Sequence, residues 1–377
     1  MREIGLWGWF GFRNCGDDLL LINTVNEVVS CMSDDSKITV FGDENNLKRL
    51  FPPELIHTRN RSASSLIKYA FKSDILIIGP GGIFPSTNFT KLVFYLIITV
   101  IMKIRRKKIG YIGVGIGNGM FQRKRDIFLL NLISKLADAF ISRSENYLSF
   151  TPDIKEKQIT LSSDMIFSDK TVYSSQADAD SRTVVVALAN IFESNTDEIK
   201  ESFLSEIMLL LEHIVSKGYS VKMVSFTNEK DMELNDMIAQ RMGKNTVLSI
   251  PFCENPYDTF DLMKDAYACV GMRFHSLVMA LSCGIPCLSI SYSDKNEDVM
   301  SRFELSDYAL RFGISKDEYF NDEIMIDGRS LIEKFDDIIE NYGNLKDLIM
   351  KHKQDMYELS LINRTEIHKL IKEDNNE

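Results

Sequence analysis

Paired cysteines, long apolar runs and surplus positive charge are what this sequence is short of, and each shortage removes a class of protein. The six cysteines, Cys15, Cys31, Cys253, Cys269, Cys283 and Cys287, include no C-x-x-C pair. Cys269, Cys283 and Cys287 fall in apolar runs and read as small core residues. Cys283 and Cys287 lie four apart, but Gly284 and Pro286 between them break any helical ligand face, so no zinc site is expected. Nothing in the pattern calls for disulfides, which suits a reducing cytoplasm. The start, Met1-Arg-Glu-Ile-Gly5, reads as the opening of a core strand and not as a signal peptide. The one long apolar run, Leu92 to Met102, falls short of the roughly 20 residues a bilayer span takes. Lysine and arginine number 44 against 54 acidic residues, a net charge of −10. That balance argues against a nucleic-acid binder while leaving room for a local cationic pocket.

The remaining composition is that of a globular protein: 377 residues, 45% hydrophobic and 26% charged, too long for one ordinary core. Strand and helix signals alternate throughout, which predicts an α/β chain of two Rossmann-like domains, each a parallel sheet covered by helices. Residues 1–170 form the expected first domain, with strands at Glu3–Trp9, Ile38–Phe41, Asp74–Ile78, Lys108–Val114 and Asp138–Ser142. The polar stretch Ser168–Arg182 has no apolar periodicity and reads as a linker. A second domain is expected over 183–330 and charged helices over 331–377, with the end from Lys372 frayed.

One stretch, Ala266 to Lys295, carries most of the chemistry. Tyr267–Met272 and Pro286–Tyr292 read as buried strands flanking a helix with Ser276 at its N-cap and Gly284 at its C-terminus. In a parallel sheet ligands bind outside the carboxyl ends of strands. Arg273, His275 and Lys295 then fall at two such ends, beside a helix N-terminus. Two fixed cations, a titratable imidazole and a helix dipole suit a small phosphate or carboxylate compound. Taken singly, each of these residues is more simply a surface charge or a capping residue; the clustering is what favours an anion site.

The first domain offers further pieces. Phe10-Gly-Phe-Arg-Asn-Cys-Gly-Asp-Asp18 is a Gly-punctuated loop that places Asp17 or Asp18 in the first turn of a helix, either to suit its dipole or to face a ligand. Gly79-Pro-Gly-Gly-Ile-Phe-Pro85 lacks the Gly-Lys-Ser/Thr ending of a P-loop but offers amides to an oxyanion. Gly113-Val-Gly-Ile-Gly117 sits after the wrong strand for a dinucleotide fingerprint, so no NAD is expected. Arg143 adds a cation at the end of another strand. The apolar run at 92–108 ends in Lys103-Ile-Arg-Arg-Lys-Lys108 and has two open readings: a buried helix with a cationic end, or a peripheral membrane contact through anionic lipid.

At these residues the sequence resembles the polysaccharide pyruvyl transferase family. The matching stretches are Gly11-Phe-Arg-Asn-Cys-Gly-Asp-Asp18, Gly79-Pro-Gly-Gly82, Gly113-Val-Gly-Ile-Gly117, Ser142-Arg-Ser-Glu145, Ser163-Asp164 and, most specifically, Arg273-Phe-His275 with Gly284-Ile-Pro286 and Ser291-Tyr-Ser-Asp-Lys295. The resemblance implies a GT-B-like fold with a ligand cleft between the domains. It implies transfer of pyruvate from phosphoenolpyruvate to two hydroxyls of a sugar, as a ketal, on a cell-surface polysaccharide or its lipid-linked precursor. No cofactor beyond phosphoenolpyruvate as co-substrate and no metal are implied. His275 is then expected as the acid and Asp17 as the acceptor-side base. Arg143, Arg273, Lys295, Ser276, Gly81 and Gly82 are expected to hold the donor, and Asn14, Asp18 and Gly115 the acceptor. The expected place is the cytoplasm, at or away from the inner membrane face. Trp9, Phe10 and Phe12 around Arg13 make the first loop bulkier than the family pattern, which bears on the choice of acceptor.

Two other readings stand beside this one. A GT-B glycosyltransferase using a nucleotide-sugar would share the architecture, but the helix after His275 has no carboxylate in its first turns to hold a ribose. A non-catalytic glycan-binding or scaffolding subunit would need fewer converging cations than this stretch supplies.

Overall fold

Strand β1 (Arg2–Phe10) is nearly all apolar, and both its faces are covered. That is the pattern expected of a strand inside a parallel sheet. In the computed structural model, which describes residues 2–84, 88–118, 123–145, 159–178, 180–192, 197–227, 229–243, 247–313 and 325–372, it heads the first of two parallel sheets. The partners are β2 (Ser36–Gly42), β3 (Ile56–Asn60), β4 (Ile75–Ile78), β5 (Gly81–Phe84), β6 (Lys108–Ile116), β7 (Ala139–Ser142) and β8 (Thr160–Leu161), in the order β3-β2-β1-β4-β6-β7-β8 with β5 on β6. The order reverses direction between β1 and β4, the topological switch point of the sheet.

Helices α1 (Cys15–Val29), α2 (Glu44–Leu47), α3 (Ala63–Ala70), α4 (Phe89–Ile104) and α5 (Lys124–Leu136) follow the strands in turn. One core gathers Trp7, Phe41, Leu76, Tyr111 and Phe140 of the sheet with Leu66 and Tyr69 of α3, Tyr95 and Ile98 of α4, and Leu130 and Ile133 of α5. Each such side chain contributes about 1.5–3 kcal/mol by leaving water. The run at 92–102 is therefore a helix with one buried face, Leu92, Tyr95, Ile98, Thr99 and Met102.

A short helix α6 (Lys170–Tyr173) precedes the second sheet: β9 (Thr183–Ala187), β10 (Ser220–Val224), β11 (Val247–Ile250), β12 (Ala268–Gly271), β13 (Cys287–Ser291) and β14 (Ala309–Arg311). Its order is β11-β10-β9-β12-β13-β14, with all pairings parallel and the switch point between β9 and β12. The helices are α7 (Asp197–Ser216), α8 (Lys230–Met242), α9 (Pro256–Met263), α10 (Phe274–Ser282), α11 (Asp294–Arg302), α12 (Gly328–Glu340) and α13 (Tyr342–Lys372).

The chain divides into a first unit of Met1–Arg13, Asp17–Ser168 and Met356–Glu377 and a second of Asn14–Gly16 and Asp169–Asp355. Three expectations change. The polar stretch from Asp169 is not a bare linker: Asp169 caps α6 by accepting from Thr171 and Val172 amides at 2.9 and 3.1 Å, and Ala177 N–H donates to Cys283 O at 2.7 Å. It packs as part of the second unit because its few apolar groups, Val172 and Ala177, are buried there. The C-terminal helices are not a separate piece. Residues of α13 from Met356 belong to the first unit, where Asn363 Nδ2 donates to Ser163 O at 3.0 Å and Leu370 lies against Gly110 of β6. Ser276 is not the N-cap of its helix, since α10 begins one turn earlier with Arg273 in the cap position. The frayed end expected from Lys372 lies, past that residue, outside the described residues.

Candidate active site

In the second unit the switch point lies between the ends of β9 and β12, where the chain continues as Leu188-Ala189-Asn190 and Met272-Arg273. Arg273 is fixed there by Asp231 at the start of α8. Its Nε and Nη2 donate to the Asp231 carboxylate at 3.0 and 2.5 Å, and Nη2 donates also to Thr227 Oγ1 at 3.0 Å. The same carboxylate accepts from the amides of Thr227 at 3.0 Å and Asn190 at 3.3 Å, and it is fully enclosed. One buried acid thus ties the ends of β9, β10 and β12 together and sets the plane of the guanidinium.

His275 stands in the first turn of α10, 8% exposed. Gly16, which belongs to this unit, lies against it so closely that a Cβ at residue 16 would strike the imidazole at Nδ1 and Cγ. The loop holding Gly16 is pinned in turn: Cys15 N–H donates to Phe226 O at 2.9 Å, and Asn14 pairs with Thr227 in an antiparallel bridge. The Phe274 ring stands edge-on to the imidazole, centroids 5.0 Å apart. Lys295, in the first turn of α11 after the neighbouring strand β13, places Nζ 5.9 Å from the Phe274 ring and 5.7 Å from that of Tyr292. Arg273, His275 and Lys295 therefore occupy one edge of one sheet, as the spacing predicted. Ser276 is buried and its Oγ donates to Arg273 O at 2.6 Å. It steadies the first turn of the helix and presents its hydroxyl to backbone.

The first unit has a matching cluster at its own switch point. Asp17 lies in the first turn of α1, and its Oδ1 is 3.5 Å from where a Cβ on Gly81 would stand. Gly81 has φ of +119°, a conformation open to glycine and costly to other residues. Gly115 of β6 approaches Arg143, whose Nε would be 3.4 Å from a Cβ there. Arg143 is 7% exposed and bonded to the Asp164 carboxylate, which also accepts from Ile166 N–H at 3.0 Å. Gly82 is exposed and faces open space.

Asp18 is 1% exposed and its carboxylate is bonded to Arg49. Asn14 belongs with the second unit and accepts from Gly16 N–H at 3.2 Å, a turn-forming bond. Gly115 stands beside Arg143 within the first unit. The guanidiniums of Arg273 and Arg143 are each held by a buried carboxylate, Asp231 and Asp164, and are oriented donors more than bare charges. Sequence reasoning missed Asp231, Thr227 and the role of Gly16. An acid in the first turn of a helix carries no special signal, because the dipole alone accounts for it. Among the described residues no group of three or more His, Cys, Asp or Glu side chains is arranged to hold a metal ion.

Two parallel-sheet α/β units with these strand orders define a protein of the GT-B class. Solved structures agree: a protein described as a UDP-N-acetylglucosamine 2-epimerase from Listeria monocytogenes superposes with a TM-score of 0.62 at 11% identity, covering 100% of this chain and 98% of that one. UDP-GlcNAc 2-epimerase from Neisseria meningitidis, bound to UDP-GlcNAc, gives 0.58 at 12% identity over 97% and 99% of the chains. MurG from Acinetobacter baumannii gives 0.57 at 9% over 98% and 100%. At such identities the likeness shows the fold alone. No curated protein matches the chain in sequence. The family is shown independently: the polysaccharide pyruvyl transferase model matches residues 14–294, and the chain belongs to that family of transferases. The matched span starts at the loop against His275 and stops one residue before Lys295.

Proposed function

We propose that the chain transfers pyruvate from phosphoenolpyruvate to two hydroxyls of a sugar in a cell-surface polysaccharide or its lipid-linked precursor, in the cytoplasm. The observation that carries this reading is Arg273 and His275 at the switch point of the second sheet in a chain of this family, with the imidazole fixed by Gly16. Phosphoenolpyruvate bears a phosphate and a carboxylate on three carbons. Arg273, oriented by Asp231, and Lys295 supply donors to it, together with the positive end of α10. Arg143, Gly81 and Gly82 are the donor-side groups proposed from the first unit.

His275 gives its proton to the methylene carbon, which becomes the methyl group, and positive charge develops at the carbon bearing phosphate. A sugar hydroxyl attacks that carbon and loses its proton to Asp17. The carbon–oxygen bond to phosphate then breaks, inorganic phosphate leaves, and a second hydroxyl closes the ketal as its proton passes to solvent. A trianionic donor beside the imidazole favours its protonated form, so donor binding arms the acid.

The test is phosphate release from phosphoenolpyruvate across a panel of sugar acceptors, with His275→Gln compared for turnover and for donor binding. Turnover should fall by about 100- to 10,000-fold, and donor affinity should weaken far less, by no more than its coupling to the lost imidazolium charge. Near-native turnover in the variant would end the assignment of the acid. A nucleotide-sugar donor, as the Neisseria epimerase binds, is the alternative, and nucleotide release in the same panel would select it.

A further inference from the structure

Helices α3, α4 and α5 lie side by side over one face of the first sheet, and their outer surface carries large apolar and cationic side chains. Arg105, at the end of α4, donates to Ala70 O and Ser73 O at 2.9 and 2.8 Å, which brings the C-termini of α3 and α4 together. Arg125 of α5 stands 4.5 Å over the Phe89 ring at the start of α4, and Lys103 bonds Asp138 beyond α5 at 2.6 Å. The three helices therefore run parallel with α4 in the middle. Outward from them point Phe71 (58% exposed), Ile97 (46%), Val100 (36%), Ile104 (77%) and Phe128 (65%). Such a cluster of large apolar side chains on one face marks a contact surface.

The charge on this face is one-sided. In a chain of net charge −10, α3, α4 and α5 hold a single acid, Asp126, which is fully buried. Lys68, Lys72, Arg106 and Lys124 are exposed on or beside these helices, while Arg125 is paired with Asp126 at 3.1 Å. Lys103 and Lys107 are not part of the outward set, since Asp138 and Asp74 hold them at 2.6 and 2.7 Å. Among the described residues no helix is long and apolar enough to cross a membrane.

We propose that this face docks on an anionic bilayer surface, with Phe71, Ile97, Val100, Ile104 and Phe128 entering the headgroup boundary and the exposed cations neutralising lipid charge. An apolar centre ringed by cations, with no exposed acid on the helices, complements a negative bilayer. It complements a protein partner less well, because lysine is depleted at protein interfaces. The inference stands apart from the pyruvyl-transfer reading and uses none of its residues. It would hold an enzyme of this family beside an acceptor carried on lipid.

The test is co-sedimentation of the full chain with vesicles of phosphatidylcholine alone or with phosphatidylglycerol at one part in four. Binding is expected only with the anionic lipid, weakened in 0.5 M salt. Ile97→Ser/Ile104→Ser and, separately, Lys68→Glu/Lys72→Glu/Arg106→Glu should each weaken it by about tenfold or more, with circular dichroism unchanged. Hydrogen exchange on the unmodified chain with vesicles should show added protection confined to α3–α5, which keeps the test open if a variant misfolds. The proposal is overturned if anionic vesicles do not sediment the protein, if both variants bind as the parent does, or if light scattering finds a dimer that Ile97→Ser/Ile104→Ser dissociates.

Discussion

At the scale of single residues, the site depends on groups that never touch a substrate. Gly16 is the sharpest case. A methyl group there would collide with the imidazole of His275, so Gly16→Ala must either push the ring aside or displace the pinned loop. A misplacement of about 1 Å typically costs about 100-fold in rate. We therefore expect Gly16→Ala to lose about that factor in turnover while its melting temperature moves little, and steady-state kinetics beside a thermal melt would check it. Asp231 acts through Arg273. Removing the acid leaves a partly buried guanidinium and two partly buried amides without their acceptor, a loss of about 3–5 kcal/mol. Asp231→Asn keeps the shape and one acceptor. It should stay folded and raise the KM for phosphoenolpyruvate more than it lowers kcat. Equal effects on an unrelated ligand would mean that Asp231 is purely structural.

At the scale of elements, most strands and helices were legible because their apolar runs are long and buried on both faces. Ile75–Ile78 and Cys287–Ser291 could be little else. The strands that escaped are β3, β5, β8 and β14. β3 reads Ile-His-Thr-Arg-Asn and is an edge strand with one buried residue, and β5 begins with two glycines, so neither shows a strand period. Positions at strand ends were legible, since Arg273, His275 and Lys295 follow directly from where β12 and β13 stop. Their partners were not, because Asp231 and Gly16 reach the site from 42 and 259 residues away. Only the folded chain brings such separations together. The end of α13 is another element that sequence alone misplaced, beside α6 in the stretch read as a linker. Its charge-rich pattern hid Ile367, Leu370 and Ile371, all buried in the first unit. Leu370→Ala should destabilise that unit by about 2–5 kcal/mol. Hydrogen exchange would then quicken in β6 while β9 and β12 keep their protection; equal loss in both sheets would contradict the assignment.

At the scale of the whole molecule, the chemistry proposed here asks nothing of sulfur, and the thiols are arranged accordingly. Cys15, Cys269, Cys283 and Cys287 are buried to within 2% of complete enclosure. Burial pushes Cys283 up to about 12, and Cys287, beside Cys269, well above its ordinary value. The half-buried Cys31 is raised to about 11, chiefly by burial, and Cys253 is raised for the same first reason. A raised thiol pKa means less thiolate at a given pH, and thiolate is the reactive form. At pH 8 a thiol titrating near 11 is ionised to about one part in a thousand, against about a quarter for an unfolded cysteine. Cys31 in the native protein should therefore react with a disulfide reagent at least about 100-fold more slowly than in the urea-unfolded chain, which should expose all six thiols. The native rate should climb with pH from 7 to 9, following the thiolate fraction and not a fixed reactive species. Turnover of phosphoenolpyruvate should survive brief exposure to N-ethylmaleimide, because no thiol lies among the groups proposed to move protons. A single fast-labelling cysteine at pH 7 whose modification stops turnover would place sulfur in the reaction and displace the imidazole from its proposed role.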